Sequence, residues 1–477
     1  MLKDIKANRV KKLKNLKKLG VEIYPSKVKI THSIFETREK FVDLEKKAEI
    51  IILAGRIVAL REHGGSVFFD IDDGFGQIQG YLKKDEVGEK EFKIFLENFD
   101  LGDFIEIKGN LFLTKKGEKT LLIQHFRILA KSVLPLPEKW YGLEDVEERF
   151  RKRYLDLIVN KGVKAKFEMR ARIIGELRKF LESEKFLEVE TPILQTIPGG
   201  ALAEPFKTHH RALKLNLYLR IAPELYLKRL IVGGFPRVFE IGRNFRNEGI
   251  DYVHNPEFTM LEFYAAYKDY EWLMAITQKM FQSLIRNIFG REYIEYEGNK
   301  IDFSGDWPRK KFKDLIKEVT GLDYDKTTKT VLEKKAKSLG MKIERAINKG
   351  YVADEIFKKL IRPKLISPTF VINHPIEISP LAKSVSKDSL SAERFQLIAG
   401  GLEIANAYSE LNDPEEQKKR LAKQEESRKD EDFIEALEYG MPPAAGFGMG
   451  IDRLVALFTN AHNVKEVILF PTMRPKK

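Results

Sequence analysis

Between residues 50 and 129, apolar and polar positions alternate in short runs, at 50–59, 66–72, 76–82, 104–113 and 120–129. A period of two puts every second side chain on one face, so each run predicts a half-buried strand. Gly64-Gly65, Gly74, Gly102 and Lys116-Gly117 break the runs where the chain must turn. Residues 89–99 carry helical spacing instead and fall between the third and fourth runs. Five strands with one interposed helix predict a small closed barrel.

Helical periodicity frames this block. Residues 3–19 predict an amphipathic, strongly basic helix with Ile5, Leu13, Leu16 and Leu19 among its lysines, ended by Gly20 and Pro25. Its charged face is either a solvated surface or an arm that contacts phosphates. Pro135 and Pro137 mark a boundary, and residues 138–160 read as a charged connector carrying Arg149-Phe150-Arg151-Lys152-Arg153. A period near 3.6 returns over 164–186 through Phe167, Ile173, Ile174, Leu177, Phe180 and Leu181. The remainder alternates β runs with helices, as a large α/β or α+β domain does. A lysine-rich, mostly helical block near 308–365 carries no chemical motif and reads as an insertion. The expected division is a basic helix and barrel over 1–135, a linker over 136–160, and a large domain over 161–477. Strand count and interposed helix give the barrel the signature of an OB-fold, a fold that often binds nucleic acid.

Composition narrows the function classes. A chain of 477 residues with 43% hydrophobic content can fill more than one core. The net charge of +13 points either to a polyanionic partner or to the lysine-rich surface of a heat-adapted protein. Cysteine is absent, which excludes disulfide staples and thiolate metal sites. Chemistry then falls to carboxylates, arginines, histidines and hydroxyls. The lysine-rich start lacks the apolar centre of a secretory signal, and no stretch approaches the ~20 apolar residues of a membrane span. The expectation is a cytoplasmic protein.

Three segments carry candidate chemistry. Phe186-Leu187-Glu188-Val189-Glu190-Thr191-Pro192 follows the predicted helix and is by itself a common scaffold pattern. The runs from Arg237 to Glu248 and from His254 to Tyr264 predict two antiparallel strands joined by a loop. Alternation turns Arg246 and Glu248 the same way, and puts Phe258, Glu262 and Tyr264 on one face. Such a face could hold a triphosphate, a base and an ammonium group together. A hairpin with surface ion pairs, each worth ~0–1 kcal/mol, does not call for so many charges inside apolar strands. The third segment, Gly446-Phe447-Gly448-Met449-Gly450-Ile451-Asp452-Arg453-Leu454, opens an apolar helix, and Arg453 at that start suits a phosphate. Upstream, Glu403 and Glu410 have no basic sequence neighbours and sit among apolar residues. Carboxylates so placed bind a cation or carry a proton.

In order, the three segments resemble the signature motifs of class II aminoacyl-tRNA synthetases. Together with Ala222-Pro223-Glu224-Leu225-Tyr226-Leu227-Lys228, Ser379-Pro380-Leu381-Ala382-Lys383 and the stretch 402–414, they are similar to the bacterial-type lysyl-tRNA synthetases. The resemblance runs from about the first β run to the C-terminus. It implies an α+β architecture: an antiparallel catalytic sheet with flanking helices, plus the N-terminal OB-fold barrel. It also implies lysine activation with ATP and Mg²⁺, transfer to tRNA(Lys), and a homodimer formed through the first motif. Residue by residue, it implies that Arg246 clamps the α-phosphate and the lysine carboxylate. Phe258 then stacks on adenine, Glu248 meets its amino group, His254 and Asn255 lie near the phosphates, and Arg453 holds the γ-phosphate. Glu403 and Glu410 are implied as Mg²⁺ ligands. Glu262, Tyr264 and again Glu410 match the ε-amine positions, Glu224 and Gly200 the α-amine positions, and Asn406 the carboxylate position. Glu410 thus carries two implied roles. Glu204 falls where the family often has a basic or small residue. In the barrel, Phe68, Gln79 and Glu118 match anticodon-binding positions, with Phe68 expected outward and its neighbour Phe69 inward.

Rival readings are a lysine ligase paralogue that modifies a protein, an aspartyl or asparaginyl synthetase, and an inactive synthetase-like RNA-binding protein. The barrel argues against the first, the anionic Glu262 and Glu410 against the second, and intact Arg246, Arg453, Glu403 and Glu410 against the third.

Overall fold

The computed structural model describes residues 2–137, 145–201, 203–343, 347–386, 389–422 and 430–476. The chain folds as two compact units, Met1–Glu144 and Asp145–Lys477. The connector expected over 136–160 lies partly outside the described residues, at 138–144. Its remainder forms two short helices, Val146–Arg151 and Arg153–Val159. Arg153 is buried there, bound to Asp156 at 2.5 Å and to the carbonyl of Lys465 at 2.7 Å.

In the first unit five strands close a barrel: β1 (Ile51–His63), β2 (Ser66–Asp72), β3 (Gln77–Lys83), β4 (Phe104–Leu113) and β5 (Lys119–Ala130), in the order β1-β2-β3-β5-β4. Closure follows from strict alternation, which sends Ile51, Leu53, Val67, Phe69, Ile71, Ile78 and Leu82 inward. The interposed helix Glu89–Asn98 packs Phe95 against Phe69 with ring centroids 5.1 Å apart. The N-terminal helix Leu2–Lys18 docks through buried Leu16 and through Arg9, whose guanidinium donates to the carbonyls of Ser132 and Leu134. Lys3, Lys6, Lys11, Lys14, Lys17 and Lys18 remain exposed on its outer side.

The second unit is built on an eight-stranded sheet. Its strands, with those of two small accessory sheets, are β6 (Leu187–Glu188), β7 (Leu194–Gln195), β8 (Lys207–His210), β9 (Leu215–Leu219), β10 (Arg237–Phe245), β11 (Glu257–Ala266), β12 (Tyr293–Tyr296), β13 (Asn299–Asp302), β14 (Arg309–Lys311), β15 (Thr369–Ile372), β16 (Arg394–Ala399), β17 (Leu402–Ser409) and β18 (Ala444–Gly450). The large sheet runs β14-β15-β16-β17-β18-β11-β10-β6, and its pairs are antiparallel except β14–β15 and β10–β6. One face is apolar: Leu261, Phe263, Ala405, Ala407, Phe447 and Met449 pack against the helices Lys161–Ser183, Tyr270–Phe289 and Ile451–Phe458. The opposite face carries the alternate residues of the same strands. The block near 308–365 is helical and has its own core, in which Phe312, Leu332, Val352 and Phe357 meet Val371 and Ile398 of the sheet. Residues 344–346 of that block lie outside the described residues.

Candidate active site

The polar face of the large sheet is the floor of a cavity of ≈ 430 Å³. Register sets its layout. Gly448 of β18 stands between Glu262 of β11 and Asn406 of β17, and Gly446 stands between Tyr264 and Tyr408. The glycines keep the central strand low while the flanking strands raise functional side chains around it. At Gly446 this is a steric requirement, because a Cβ there would overlap Glu410 Oε1 and the Tyr264 ring. A bulge in β17, at the register shift opposite Leu397 and Ile398, sends both Ile404 and Ala405 into the core. Glu403 thereby joins Asn406 in lining the cavity.

One end of the cavity is acidic and buried. Glu224 begins the helix Glu224–Val232, and its Oε1 accepts from Tyr408 Oη at 2.6 Å and from Lys228 Nζ at 2.8 Å. The same ammonium lies 2.5 Å from Glu410 Oε2. Tyr264 Oη donates to Glu262 Oε2 at 3.2 Å. Burial, reinforced by the Glu224 carboxylate, pushes Glu262 up to about 8. Burial raises Glu410 as well, with the Lys228 ammonium opposing it. For Lys228 burial works against the charge, but Glu224 and Glu410 outweigh it and hold the ammonium above its ordinary value. Gly200 closes this end with φ of +88°, where a Cβ would press on Glu224 and Ala222.

The other end is cationic and more open. Arg453, two residues into the helix Ile451–Phe458, donates to the Glu403 carbonyl at 3.3 Å and to His254 Nε2 at 3.0 Å. That contact puts the His254 ring proton on Nδ1, which faces Asp251 at 2.9 Å. Asp452 anchors the helix start by accepting from Arg170 at 2.6 Å and from the Thr259 amide at 3.0 Å. The Arg362 guanidinium is 3.8 Å from Glu403, and Lys358, paired with Asp354 at 2.6 Å, lines the same cavity. Between the ends Arg246 lies over the Phe258 ring at 5.0 Å, and its Nε is buried without a partner among the described residues. Burial lowers the pKa of this guanidinium, with the Glu248 carboxylate opposing. Asn406 Oδ1 accepts from Arg394 Nε at 2.7 Å.

The cavity therefore brings together Gly200, Glu224, Arg246, Glu248, His254, Asn255, Phe258, Glu262, Tyr264, Glu403, Asn406 and Arg453, with Glu410 behind Gly446. Glu204 is exposed outside it, and its carbonyl accepts from the Asn247 amide at 2.7 Å. A single metal ion shared by Glu403 and Glu410 is excluded by strand geometry. The two lie near opposite ends of β17, on the order of 20 Å apart at ~3.3 Å per residue. Sequence reading assigned no role to Lys228, Tyr408, Arg394 or Lys358. The first two had a signal: Lys228 follows Glu224 by four residues on an apolar helix, and Tyr408 follows Asn406 by two on a strand. Arg394 and Lys358 come from separate elements and had none.

In the other unit, Phe68 stands on the outer barrel face, stacked on Tyr81 with centroids 4.4 Å apart, while Phe69 is fully buried. Gln79, two residues before Tyr81 on β3, shares that face, and its Oε1 accepts from Thr120 at 3.0 Å. Glu118 is exposed beside the start of β5. Tyr81 and Phe112, 6.0 Å apart, extend the aromatic surface beyond the residues singled out from the sequence.

Comparison with known proteins accords with both units. Residues 145–474 match the family model of tRNA synthetases class II (D, K and N), and residues 51–129 match that of an OB-fold nucleic acid binding domain. The chain is 48% identical over 488 residues to the lysine–tRNA ligase of Pelotomaculum thermopropionicum, covering 100% of this chain and 96% of the relative. It is 48% identical over 485 residues to that of Carboxydothermus hydrogenoformans, covering 100% and 99%. Against the lysine–tRNA ligase of Aquifex aeolicus the identity is 49% over 455 residues, covering 93% and 76%. With the motifs, the sheet and the cavity in agreement with these matches, the chain belongs to the class II tRNA synthetases of the D, K and N group.

Proposed function

We propose that this protein is a lysine–tRNA ligase, which activates lysine with ATP to lysyl-adenylate and transfers the lysyl group to tRNA(Lys). The carrying observation is the acidic end, where Glu224, Glu262 and Glu410 are all buried and the Lys228 ammonium pairs with two of them, Glu224 and Glu410. Three desolvated carboxylates against one ammonium suit a ligand bearing two ammonium groups, as lysine does. An aspartate or asparagine side chain has nothing to gain from such a wall. The matched tRNA synthetase family and the relatives' printed names support the same reading.

The residues divide the work along the cavity. Glu262, Tyr264 and Glu410 face the ε-ammonium, and Glu224 with Gly200 faces the α-ammonium. Asn406, oriented by Arg394, meets the carboxylate. Arg246 lies between this end and Arg453, so its planar fork can bridge the lysine carboxylate and the α-phosphate. The carboxylate oxygen attacks the α-phosphorus and pyrophosphate leaves. Arg246 stabilises the charge that builds on the phosphoryl oxygens, and its buried setting strengthens that interaction. No base is required, because the carboxylate is already ionised at neutral pH. Phe258 offers a stacking face for adenine, Glu248 an acceptor for its amino group, and His254, Asn255 and Arg453 donors for the phosphates. In the second step a terminal ribose hydroxyl of tRNA attacks the lysyl carbonyl and AMP departs.

Among the described residues no cluster of three or more acidic or histidine side chains could hold a metal by itself. Glu403 at the cationic end nevertheless fits Mg²⁺, which binds through one or two carboxylates plus phosphate oxygens. When bound there the ion would neutralise the triphosphate. Glu410, beside the Lys228 ammonium at 2.5 Å, is a poor Mg²⁺ ligand and belongs to the amine end.

On this reading Phe68, Tyr81 and Gln79 present a stacking and hydrogen-bonding surface to the anticodon, with Glu118 at its edge. A homodimer through the first motif suits the exposed apolar side chains Leu187, Ile193 and Leu194, which stand in that segment or directly after it. No helix among the described residues is long and apolar enough to cross a membrane, in keeping with a cytoplasmic enzyme. ATP–pyrophosphate exchange with each amino acid separately tests the proposal. Lysine should support exchange far above all others; equal or better exchange with aspartate or asparagine would overturn it.

A further inference from the structure

Lys228 has no solvent exposure, and the mechanism above gives it no step. A buried ammonium is tolerated only when its charge is matched, and here two carboxylates from different elements match it. Glu224 comes from the start of a helix and Glu410 from the residue directly after β17, 186 positions apart in the chain. A common donor at 2.8 and 2.5 Å keeps their liganded oxygens within about 5 Å of each other. Each carboxylate also has a second oxygen directed elsewhere. Glu224 Oε2 faces Gly200, and Glu410 Oε1 occupies the space beside Gly446, buried and without a partner among the described residues. The rings of Tyr408 and Phe433 flank the ammonium at 5.7 and 5.8 Å and limit its sideways movement.

We propose that Lys228 is the positioning residue that sets chain-length specificity: it ties the inner oxygens of Glu224 and Glu410 together and so fixes the span between the outer oxygens that read the two ammonium groups of the substrate. The proposal rests on the lysine reading given above. Charge supports it, since the three carboxylates, once ionised against the bound ligand, and one internal ammonium leave two negative charges for its two ammonium groups. Geometry supports it too, because the same nitrogen contacts both reading carboxylates and is itself sealed from the ligand's solvent. A ligand one methylene shorter or longer then meets one carboxylate at the wrong distance.

The test compares lysine with ornithine and homolysine, one methylene shorter and longer, in pyrophosphate exchange by the full chain and by Lys228→Met and Lys228→Arg. One methylene is worth about 10- to 200-fold in a shaped pocket. The unaltered protein should reject both analogues. In either variant the preference for lysine over ornithine, as a ratio of kcat/KM, should fall about tenfold or more toward unity. ATP binding, measured without lysine, should stay unchanged, and a retained cooperative thermal transition shows that the fold survives. A folded variant that loses activity while keeping the unaltered ratio overturns the proposal and leaves Lys228 a structural ion pair. Acceptance of homolysine by the unaltered protein as readily as lysine also overturns it, and needs no variant to fold. Absence of lysine-dependent exchange in the unaltered protein would instead bring down the functional reading itself.

Discussion

The two ends of the cavity handle charge in opposite ways. At the acidic end Glu224, Glu262 and Glu410 are removed from water, and their charges act at low dielectric through fixed oxygens. At the cationic end His254 is exposed, Glu403 is partly open, and Arg453 and Lys358 reach in from two different elements. The difference follows the ligands. A small ammonium sheds its water and is recognised by position, so its partners must be rigid and desolvated. A triphosphate keeps water and a metal around it and spreads its charge over many oxygens, so several donors of moderate precision suffice. On the proposed function, selectivity among amino acids belongs to the buried end and nucleotide binding to the open one.

The largest expected effect breaks the buried end alone. Glu262→Gln should weaken lysine binding by about 3–5 kcal/mol, the typical cost of leaving a buried charge without its partner, while ATP binding stays close to normal. Calorimetric titration with each ligand decides; equal losses for both would mean a collapsed site. Arg246→Lys acts where the two ends meet. A point charge cannot reproduce the fork, so lysine-dependent exchange should fall about 100- to 1000-fold. Near-normal exchange would remove Arg246 from the clamp.

A pH series sharpens the contrast with a smaller effect. Glu262 holds a proton up to about 8 in the free protein, whereas the bound ammonium requires the carboxylate. Below that pH, kcat/KM for lysine should rise about tenfold per pH unit as the proton leaves, while the apparent affinity for ATP stays flat. Glu262→Gln should flatten the slope, leaving only the part that comes from Glu410, whose carboxyl burial also raises. An identical pH response for both ligands would count against the difference in burial. The smallest effect lies in the barrel, whose outer face is an exposed surface rather than a pocket. Phe68→Ala should cost about 1–3 kcal/mol in tRNA binding and leave pyrophosphate exchange unchanged. Filter binding at fixed salt measures the first, because phosphate contacts make the affinity salt-dependent.

Much of the architecture was legible along the chain because it depends on period. Alternation in β2 and β3 separates Phe69 from Phe68 and Ile78 from Gln79, and the structure places these side chains as the pattern implies. The same period of two marked Phe258, Glu262 and Tyr264 as one face of β11. The motifs located the cavity residues themselves, since Arg246 and Arg453 each sit at the edge of a recognisable element. The bulge in β17 was not legible. It comes from the register β17 adopts against β16, and without it Glu403 and Glu410 would fall on opposite faces.

By itself the sequence determined the order of the elements, the family, and which side chains could do chemistry, because these depend on local spacing and residue type. Only the tertiary structure decided how Glu410 is used. Its neighbours in the chain offer no cation, yet Lys228 arrives from a helix far away in sequence at 2.5 Å. Tertiary packing likewise carried Arg394 to Asn406 and Lys358 to the cationic end of the cavity. Ionic pairing inside a protein is fixed by which elements meet and how much water they exclude, and neither quantity is written in the spacing of residues along one strand.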